Sequence, residues 1–347
     1  MRHEELTDRE KLILRSIIQQ FILTASPVGS RYITKKYDIG FSPATVRNIM
    51  ADLEESGFIG HPHTSAGRIP TDKGYRFYVD SLMEIQKIRN SEKGIINKNL
   101  NVEQIETDEI LRLTTLILSN ITKQLACVTY PRLDSGILAK LQLVSLSSSR
   151  ILIVISIKGG LVKTITMEID SEILPVQIES VQNLLNERLY GLTFKEIRTT
   201  FSERLKDIEE DQRPVIRLFV DSVDKIFKDV NSKDNIYLTG ASNIIKQPEF
   251  EDPEKIPGIV ELIENKDIII HILDKGSDAA LDQVFISIGS ENEDRKLEEY
   301  SFVSKEYSIG STSGTLGIIG PKRMEYSKVV AIVDYMAKML SEILKNE

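Results

Sequence analysis

The chain has 347 residues, 41% of them hydrophobic, with 44 Lys and Arg against 52 Asp and Glu and a formal net charge of −8. This composition predicts a globular protein of two or three domains and excludes wholesale disorder. The longest uncharged stretches hold about 15 residues, fewer than the roughly 20 that a membrane span needs, and the N-terminus has no signal-peptide pattern. We therefore expect a cytoplasmic protein without a membrane segment.

The charge is unevenly distributed along the chain. Residues 1–80 carry 11 Lys and Arg against 10 Asp and Glu, a net charge of +1, which leaves −9 on the remainder. The basic side chains within residues 28–50 are Arg31, Lys35, Lys36 and Arg47. Such an asymmetry is a hint that one end of the protein faces a polyanion, although a basic patch is more often an ordinary solvated surface.

The first elements predicted along the chain are three short helices. A capping box at residues 7–10 begins the first helix, and the second covers residues 30–37. Gly40 suits the tight turn that follows. Ser42 and Pro43 then supply an N-cap and a first helical residue for the third helix. Two short helices joined by a tight turn predict a helix-turn-helix.

The third predicted helix has an apolar stripe and a polar face. The stripe consists of Val46, Ile49, Met50 and Leu53. The first turns of the other face carry Ala44, Thr45, Arg47 and Asn48. Small side chains let a recognition helix enter the major groove, where Asn suits adenine and Arg suits guanine or phosphate. The pattern alone fits a short amphipathic helix with a polar outer face equally well.

Residues 60–70 are rich in Gly and Pro and predict a two-stranded wing whose tip lies along the DNA backbone. Another helix is predicted from Thr71, next to the wing. We expect contacts with base edges from Ala44, Thr45, Arg47 and Asn48. We expect contacts with phosphates from Ser42, His63, Arg68, Lys73 and Arg76.

The string from His61 to Asp80, HPHTSAGRIPTDKGYRFYVD, resembles the HrcA family of heat-inducible transcription repressors. The likeness continues in QPEF at 247–250, IGSEN at 288–292 and GPKRMEY at 320–326, so that it spans nearly the whole chain. The resemblance implies a homodimer that binds double-stranded DNA at the CIRCE inverted repeat. It also implies that the GroEL chaperonin maintains the repressor's activity.

The fold class expected for the whole chain is α+β and multidomain. The resemblance implies an N-terminal winged helix-turn-helix domain followed by a GAF-like α/β domain that carries an inserted dimerisation subdomain. The boundaries we expect are 1–86 for the DNA-binding domain, 87–103 for a linker or the loose end of a helix, 104–174 and 266–347 for the GAF-like domain, and 175–265 for the insertion. The residues alone do not distinguish an insertion from a third consecutive domain.

Within this body, apolar runs and helical spacing predict the individual elements. Strands are predicted at 151–157, 165–169, 236–238, 268–273, 284–288, 302–309 and 316–319. Helices are predicted at 105–125, 176–189, 214–230, 253–264 and 326–344. The helices at 110–125 and 214–230 are candidates for a dimer interface, with Leu218 and Phe219 as positions at which to test it.

Signals for catalysis, cofactors or metals are weak. His61 and His63 offer two metal ligands, but they flank a Pro in a loop and favour capping or phosphate contact. The Gly-rich segment 310–320 lacks the Gly-Lys-Ser/Thr ending of a phosphate-binding loop, which favours a hairpin. We interpret His271 as a core histidine in a strand and Cys127 as a small core side chain. We therefore expect no enzyme, no cofactor and no metal.

Three other functions remain compatible with the sequence. The GAF-like domain of a winged-helix regulator could sense a small metabolite. The chain could be an enzyme joined to a DNA-binding module, although it lacks catalytic constellations. It could also be a chaperonin client or adaptor whose DNA binding is incidental.

Overall fold

The structure is a computed structural model that describes residues 6–62, 67–100, 106–168, 175–206, 213–227, 236–277 and 283–345. His63, one of the predicted phosphate contacts, lies outside the described residues.

The N-terminal part, residues 6–86, is termed the head. Its elements are α1 (Asp8–Thr24), α2 (Ser30–Lys36), α3 (Pro43–Glu55), β1 (Ile59–Gly60), β2 (Ile69–Pro70) and α4 (Asp72–Phe77), with a π-helical turn at Tyr78–Leu82. The three predicted helices are confirmed, and Thr7 and Glu10 form the predicted capping box. Strands β1 and β2 pair antiparallel. Apolar side chains of α1, α2 and α3 pack into one core, including Ile17, Ile33 and Leu53.

The rest of the chain, termed the body, follows in three groups of elements. The first is α5 (Asn90–Leu100), α6 (Thr107–Thr122) and β3 (Leu125–Thr129). The second is β4 (Leu138–Ser147), β5 (Arg150–Ile157), β6 (Val162–Glu168), α7 (Pro175–Leu189), α8 (Phe194–Arg204), α9 (Arg213–Asp221) and α10 (Val223–Phe227). The third is β7 (Ile236–Thr239), α11 (Ala241–Ile245), α12 (Ile256–Glu264), α13 (Lys266–Ser277), β8 (Phe285–Ile288), β9 (Tyr300–Ile309), β10 (Thr312–Pro321) and α14 (Tyr326–Lys345).

The first and third groups build a five-stranded antiparallel sheet in the order β7-β3-β10-β9-β8. Neighbouring side chains on a strand point to opposite faces of the sheet. Val303 accordingly packs into the core shared with α14, whereas Phe302 packs into a second core with α12 and α13. Helices therefore cover both faces of this sheet.

The second group forms a separate unit, because β4, β5 and β6 pair with one another and not with the five-stranded sheet. One face of this small sheet is buried, partly against α7. Side-chain amides of α7 also close the edge of β4, where Asn186 accepts from the Leu141 amide and Gln182 accepts from the Leu143 amide. The segment that leaves the larger sheet thus begins before β4, so the expected boundary at 175 separates the small sheet from α7, which packs against it and closes its edge.

One of the predicted elements is wrong in type. The apolar run at 268–273 is part of helix α13 rather than a strand, and buries Ile269, Ile272 and Leu273 at helical spacing. His271 consequently lies exposed on that helix and is not a core histidine. A short apolar run does not by itself distinguish a buried strand from a buried helix, and here the helical packing prevails.

Two further segments differ in detail from the prediction. The expected linker at 87–103 contains helix α5, because Ile96 and Leu100 are buried in the core. The single helix expected at 214–230 is instead two short helices, α9 and α10.

The Gly-rich segment at 310–320 is confirmed as a hairpin, formed by β9 and β10. Its Gly314 lies against a tyrosine, and a Cβ there would lie 2.6 Å from the Tyr307 hydroxyl oxygen.

Candidate DNA interface

The first turn of α3 is fixed by local chemistry. Ser42 is its N-cap, and its side chain accepts a hydrogen bond from the Thr45 amide at 3.1 Å. The Ser42 and Thr45 hydroxyl oxygens lie 2.9 Å apart. Pro43 occupies the first helical position, where its missing N–H leaves no intrahelical hydrogen bond unmade. The start of α3 is therefore well defined by two consecutive sequence signals, Ser42 and Pro43.

The orientation of α3 is fixed by its buried stripe, as predicted: Val46, Ile49, Met50 and Leu53 are all buried. The opposite side is open, and Ala44, Arg47 and Asn48 are exposed. Thr45 is half-buried beside Ser42. The structure thus brings the four expected base-edge residues together in the first two turns of α3, with three of them exposed and Thr45 half-buried.

Helix α2 adds positive charge beside this turn. Arg31 and Lys35 are exposed on it. The neighbouring Lys36 donates a hydrogen bond to the side-chain oxygen of Gln20 on α1 at 2.5 Å. The sequence showed these basic residues in the uneven charge of residues 28–50, but their pattern alone did not assign them to a site.

The two-stranded hairpin is joined to α3 by a cluster of three charged or titratable side chains. Arg68 pairs with Glu54 of α3, with 2.8 Å between the guanidinium nitrogen and Oε2. His61 lies 3.0 Å from the other Glu54 oxygen and, through Nδ1, 2.9 Å from Arg68. The Arg68 side chain is only 18% exposed. Instead of projecting towards solvent, as a phosphate contact would, it holds the hairpin against α3.

Lys73 is exposed at the C-terminal end of α3. Its ammonium group donates to the Ser56 carbonyl oxygen at 2.7 Å and lies 4.3 Å from the centre of the Phe58 ring. A cation is favourable at this end of a helix, where backbone carbonyls lack intrahelical partners. Lys73 is therefore both accessible to a phosphate and part of the packing behind α3.

Arg76, also expected at a phosphate, instead points to the body. It donates to Glu291 from Nε at 2.8 Å, to the Ile286 carbonyl at 2.8 Å and to Asp80 at 3.1 Å. The hydrogen bonds to Glu291 raise the pKa of this guanidinium above its usual value, so the residue remains charged throughout the accessible pH range. Its partners place it at the boundary between head and body.

Three further features of the described residues concern metal ligands, membrane spans and the single cysteine. Among these residues, no group of three or more His, Cys, Asp or Glu side chains is arranged to hold a metal ion. None of the described helices combines the length and the apolar character needed to cross a bilayer. Cys127 is fully buried, and burial raises the pKa of its thiol to about 12.

Residues 108–330 match the family model of the HrcA protein C-terminal domain. The heat-inducible transcription repressor HrcA of Chlorobium phaeobacteroides strain BS1 is 44% identical over 353 residues, which cover 99% of this chain and 100% of that protein. The repressor of the same name from Prosthecochloris aestuarii is 45% identical over 350 residues and 98% of both chains. A crystal structure described as that of a hypothetical protein shares the fold, with a TM-score of 0.58 at 24% identity over 99% of both chains.

The class of protein follows from these relatives: it is that of the transcription repressors, regulators that are not enzymes. Both the full-length identity and the family model lead to the same group. The chain belongs to the HrcA family of heat-inducible transcription repressors.

Proposed function

We propose that this repressor binds an inverted-repeat DNA operator as a homodimer, through a winged helix-turn-helix in the head. The observation that carries the proposal is α3, which is buried along one stripe and exposes Ala44, Arg47 and Asn48 in its first two turns. A helix held this way presents its N-terminal residues to base edges in the major groove. The hairpin of β1 and β2 is the wing.

Within this interface we assign the described residues from the exposure and contacts of their side chains, and His63, outside the described residues, keeps the phosphate role predicted from the sequence. Ala44, Thr45, Arg47 and Asn48 lie against base edges. Phosphates are contacted by Ser42, Lys73 and His63, together with Arg31 and Lys35 of α2, because the helix before a recognition helix crosses the DNA backbone. Arg68 and Arg76 would have to give up Glu54 and Glu291 to reach a phosphate. We therefore assign them to positioning the wing and the head.

We propose that the body is a GAF-like domain built on the five-stranded sheet and interrupted by the unit of β4 to α10, and that this unit forms the homodimer. The outward face of its small sheet carries Lys140, Gln142, Val144, Leu152, Val154, Ser156, Val162, Thr164 and Thr166. Its charged members are Lys140 near one end and the ion pair of Arg150 and Glu168 at the other, and Val144 and Val162 are exposed. Between these charged ends the face is uncharged and partly apolar, which fits the same face of a second copy.

Family membership suggests the rest of the proposal. The operator is the CIRCE repeat, the GroEL chaperonin maintains the active form, and the protein works in the cytoplasm, where it meets both. Two-fold symmetry in the protein accounts for an inverted repeat in the DNA, because one recognition helix contacts too few bases to select a genomic site.

Fluorescence anisotropy with labelled duplexes tests the DNA-binding proposal. The wild-type chain should bind the inverted repeat much more tightly than a scrambled duplex at the same salt concentration. Arg47→Ala and Asn48→Ala should each cost about 1–3 kcal/mol on the repeat and little on the scrambled duplex. Arg295→Ala makes the same change of charge at an exposed site on the body and should bind as wild type does. Unchanged affinity in both α3 variants would overturn the assignment of α3.

The same measurement, made with and without purified GroEL, tests the chaperonin proposal. We expect GroEL to increase the fraction of repressor that binds the repeat. Release of the operator by a small metabolite in the absence of chaperonin would favour a ligand sensor instead.

A further inference from the structure

Three segments that lie far apart in the sequence meet at the contact between head and body. Asp72 and Arg76 project from α4 of the head, and their partners come from residues 286–291 and from Lys322 of the body. We term these contacts, together with that of Arg323 with the end of α1, the head–body interface. The segments 288–292 and 320–326 are two of those that carry the family resemblance, and both contribute to it.

The first contact of this interface is the pair of Arg76 and Glu291. The guanidinium donates from two nitrogens to the two carboxylate oxygens, and also to the Ile286 carbonyl. Glu291 is held in place because it accepts a hydrogen bond from the Ile288 amide at 2.9 Å. A two-point pair of this kind restricts orientation as well as distance.

The second contact is made by Asp72, one helical turn before Arg76. One carboxylate oxygen accepts from the Ser290 amide at 2.9 Å, and the other lies 3.0 Å from the Lys322 ammonium. The approach is close: a Cβ added to Gly289 would lie 2.3 Å from an Asp72 oxygen. Gly289 also has φ of +55°, a left-handed conformation that glycine adopts at little cost.

The third contact lies at the end of α1. Arg323 donates to the Ile22 carbonyl at 2.6 Å, and a bidentate pair with Glu249 holds its guanidinium in place. Carbonyls in the last turn of a helix lack intrahelical partners, so a fixed cation there satisfies one of them and complements the helix dipole. The head is thus held at two of its elements, α1 and α4, which opposes rotation about either one.

We propose that the head–body interface determines which spacing between operator half-sites the repressor accepts, with Asp72, Arg76, Glu291 and Lys322 as positioning residues. The inference rests on the proposed function, in which a dimer of bodies presents two heads to an inverted repeat. If each head is fixed to its body, the distance and angle between the two α3 helices are fixed as well.

The geometry of DNA makes such a constraint measurable. Each base pair added between half-sites moves one of them by about 3.4 Å along the helix axis and by about 35° around it. A rigid pair of heads loses base contacts in one half-site after such a shift. A pair of heads on mobile connections follows the shift and keeps its contacts.

The test compares binding of full-length dimers to inverted repeats whose spacer is lengthened or shortened by single base pairs, and to one isolated half-site. The variant Glu291→Gln with Lys322→Met removes the two charged body partners of α4 and leaves the net charge unchanged. Glu261→Gln with Lys296→Met makes the same two changes in an exposed ion pair of the body, away from the head. Asp72→Asn is a second interface variant, and thermal unfolding of each protein checks that it folds.

We expect wild type and the Glu261/Lys296 control to lose about tenfold in affinity for each change of spacer, and the interface variants to lose about threefold or less. Affinity for the isolated half-site should be equal in all of them, since α3 is unaltered. Equal spacer dependence in interface variants and wild type would overturn the proposal. So would tighter binding of the variants to the unaltered repeat, which would instead indicate an inhibitory contact. Wild type that binds no inverted repeat would reject the proposed function itself, and this inference with it.

Discussion

Arg68 of β2 and Glu54 of α3 are 2.8 Å apart, and this ion pair joins the wing to the last turn of the helix proposed to read the DNA. Both side chains are partly buried, and His61 contacts the two of them. The pair therefore holds the hairpin against α3, and any effect of Arg68 on the proposed DNA binding is expected to act through that geometry.

Arg68→Met should lower the free energy of unfolding of the chain by about 1–2 kcal/mol, because it leaves a partly buried Glu54 carboxylate without its partner. Chemical denaturation measures this loss. The slope of log affinity against log salt concentration on DNA should stay as in wild type, since a residue that touches no phosphate releases no counterion.

The double variant Glu54→Gln with Arg68→Met completes a thermodynamic cycle and isolates the energy of the pair. It should be destabilised less than the sum of the two single variants. A salt slope that falls by about one in Arg68→Met would instead return Arg68 to the set of phosphate contacts.

Two substitutions of Ser42 distinguish its effect on stability from its expected effect on DNA binding. Ser42→Ala removes the N-cap and should cost about 1 kcal/mol in the free energy of unfolding. Ser42→Asp keeps a capping oxygen and should unfold close to wild type, because Asp caps as well as Ser does. It nevertheless places a negative charge beside the expected phosphates, so its operator affinity should fall. Anisotropy and denaturation measured on the same samples check both outcomes, and full affinity in Ser42→Asp would exclude Ser42 from the phosphate contacts.

The parts of the fold that the sequence predicts are those determined by neighbouring residues. A cap at Ser42, a proline at position 43 and an apolar stripe with helical spacing define α3 without reference to the rest of the chain. The pair of Arg76 and Glu291 is different, because its members are 215 residues apart. A surface arginine beside a wing has the same sequence signature whether it faces a phosphate or a carboxylate. For that reason Arg76 was expected at the DNA.

The division of the body into two sheets likewise depends on contacts that local sequence does not reveal. Strand β5 was predicted from its continuous apolar run, but nothing in that run states whether it pairs with β4 and β6 or with the larger sheet. The neighbouring strand β4 was missed, because its second half is exposed and ends in serines. Pairing partners depend on which faces helix α7 covers, and this is a property of the folded unit.

Val144 tests the proposed dimer face. A Glu at this position places a charge on the outward side of β4 without entering the core, since Val144 is 45% exposed. We expect Val144→Glu to sediment as a monomer at concentrations where wild type is a dimer. Val260→Glu is the matched control on α12, where the side chain is 44% exposed, and it should remain a dimer.

A dimeric Val144→Glu would exclude this face as the interface. Phe219, one of the two positions that the sequence suggests for such a test, is fully buried. A charge there would unfold the unit and give no information on the interface.

Cys127 reports the folded state of the five-stranded sheet. Burial raises the pKa of its thiol to about 12 from an ordinary value of 9.0, so the folded thiol is neutral at pH 8 and inaccessible to reagents. We expect a disulfide reagent to label it only as the chain unfolds in urea, with the same midpoint as circular dichroism.

The sign of the pH effect follows from the raised pKa. Below pH 9 the thiol is neutral in both states, and stability is unaffected by its titration. Above pH 9 the unfolded thiol loses its proton while the folded one keeps it, so stability falls by at most about 1.4 kcal/mol per pH unit. Comparing wild type with Cys127→Ala between pH 7.5 and 10 isolates this contribution from that of other groups. Fast labelling of the native protein at pH 8 would contradict the buried position of Cys127 on β3.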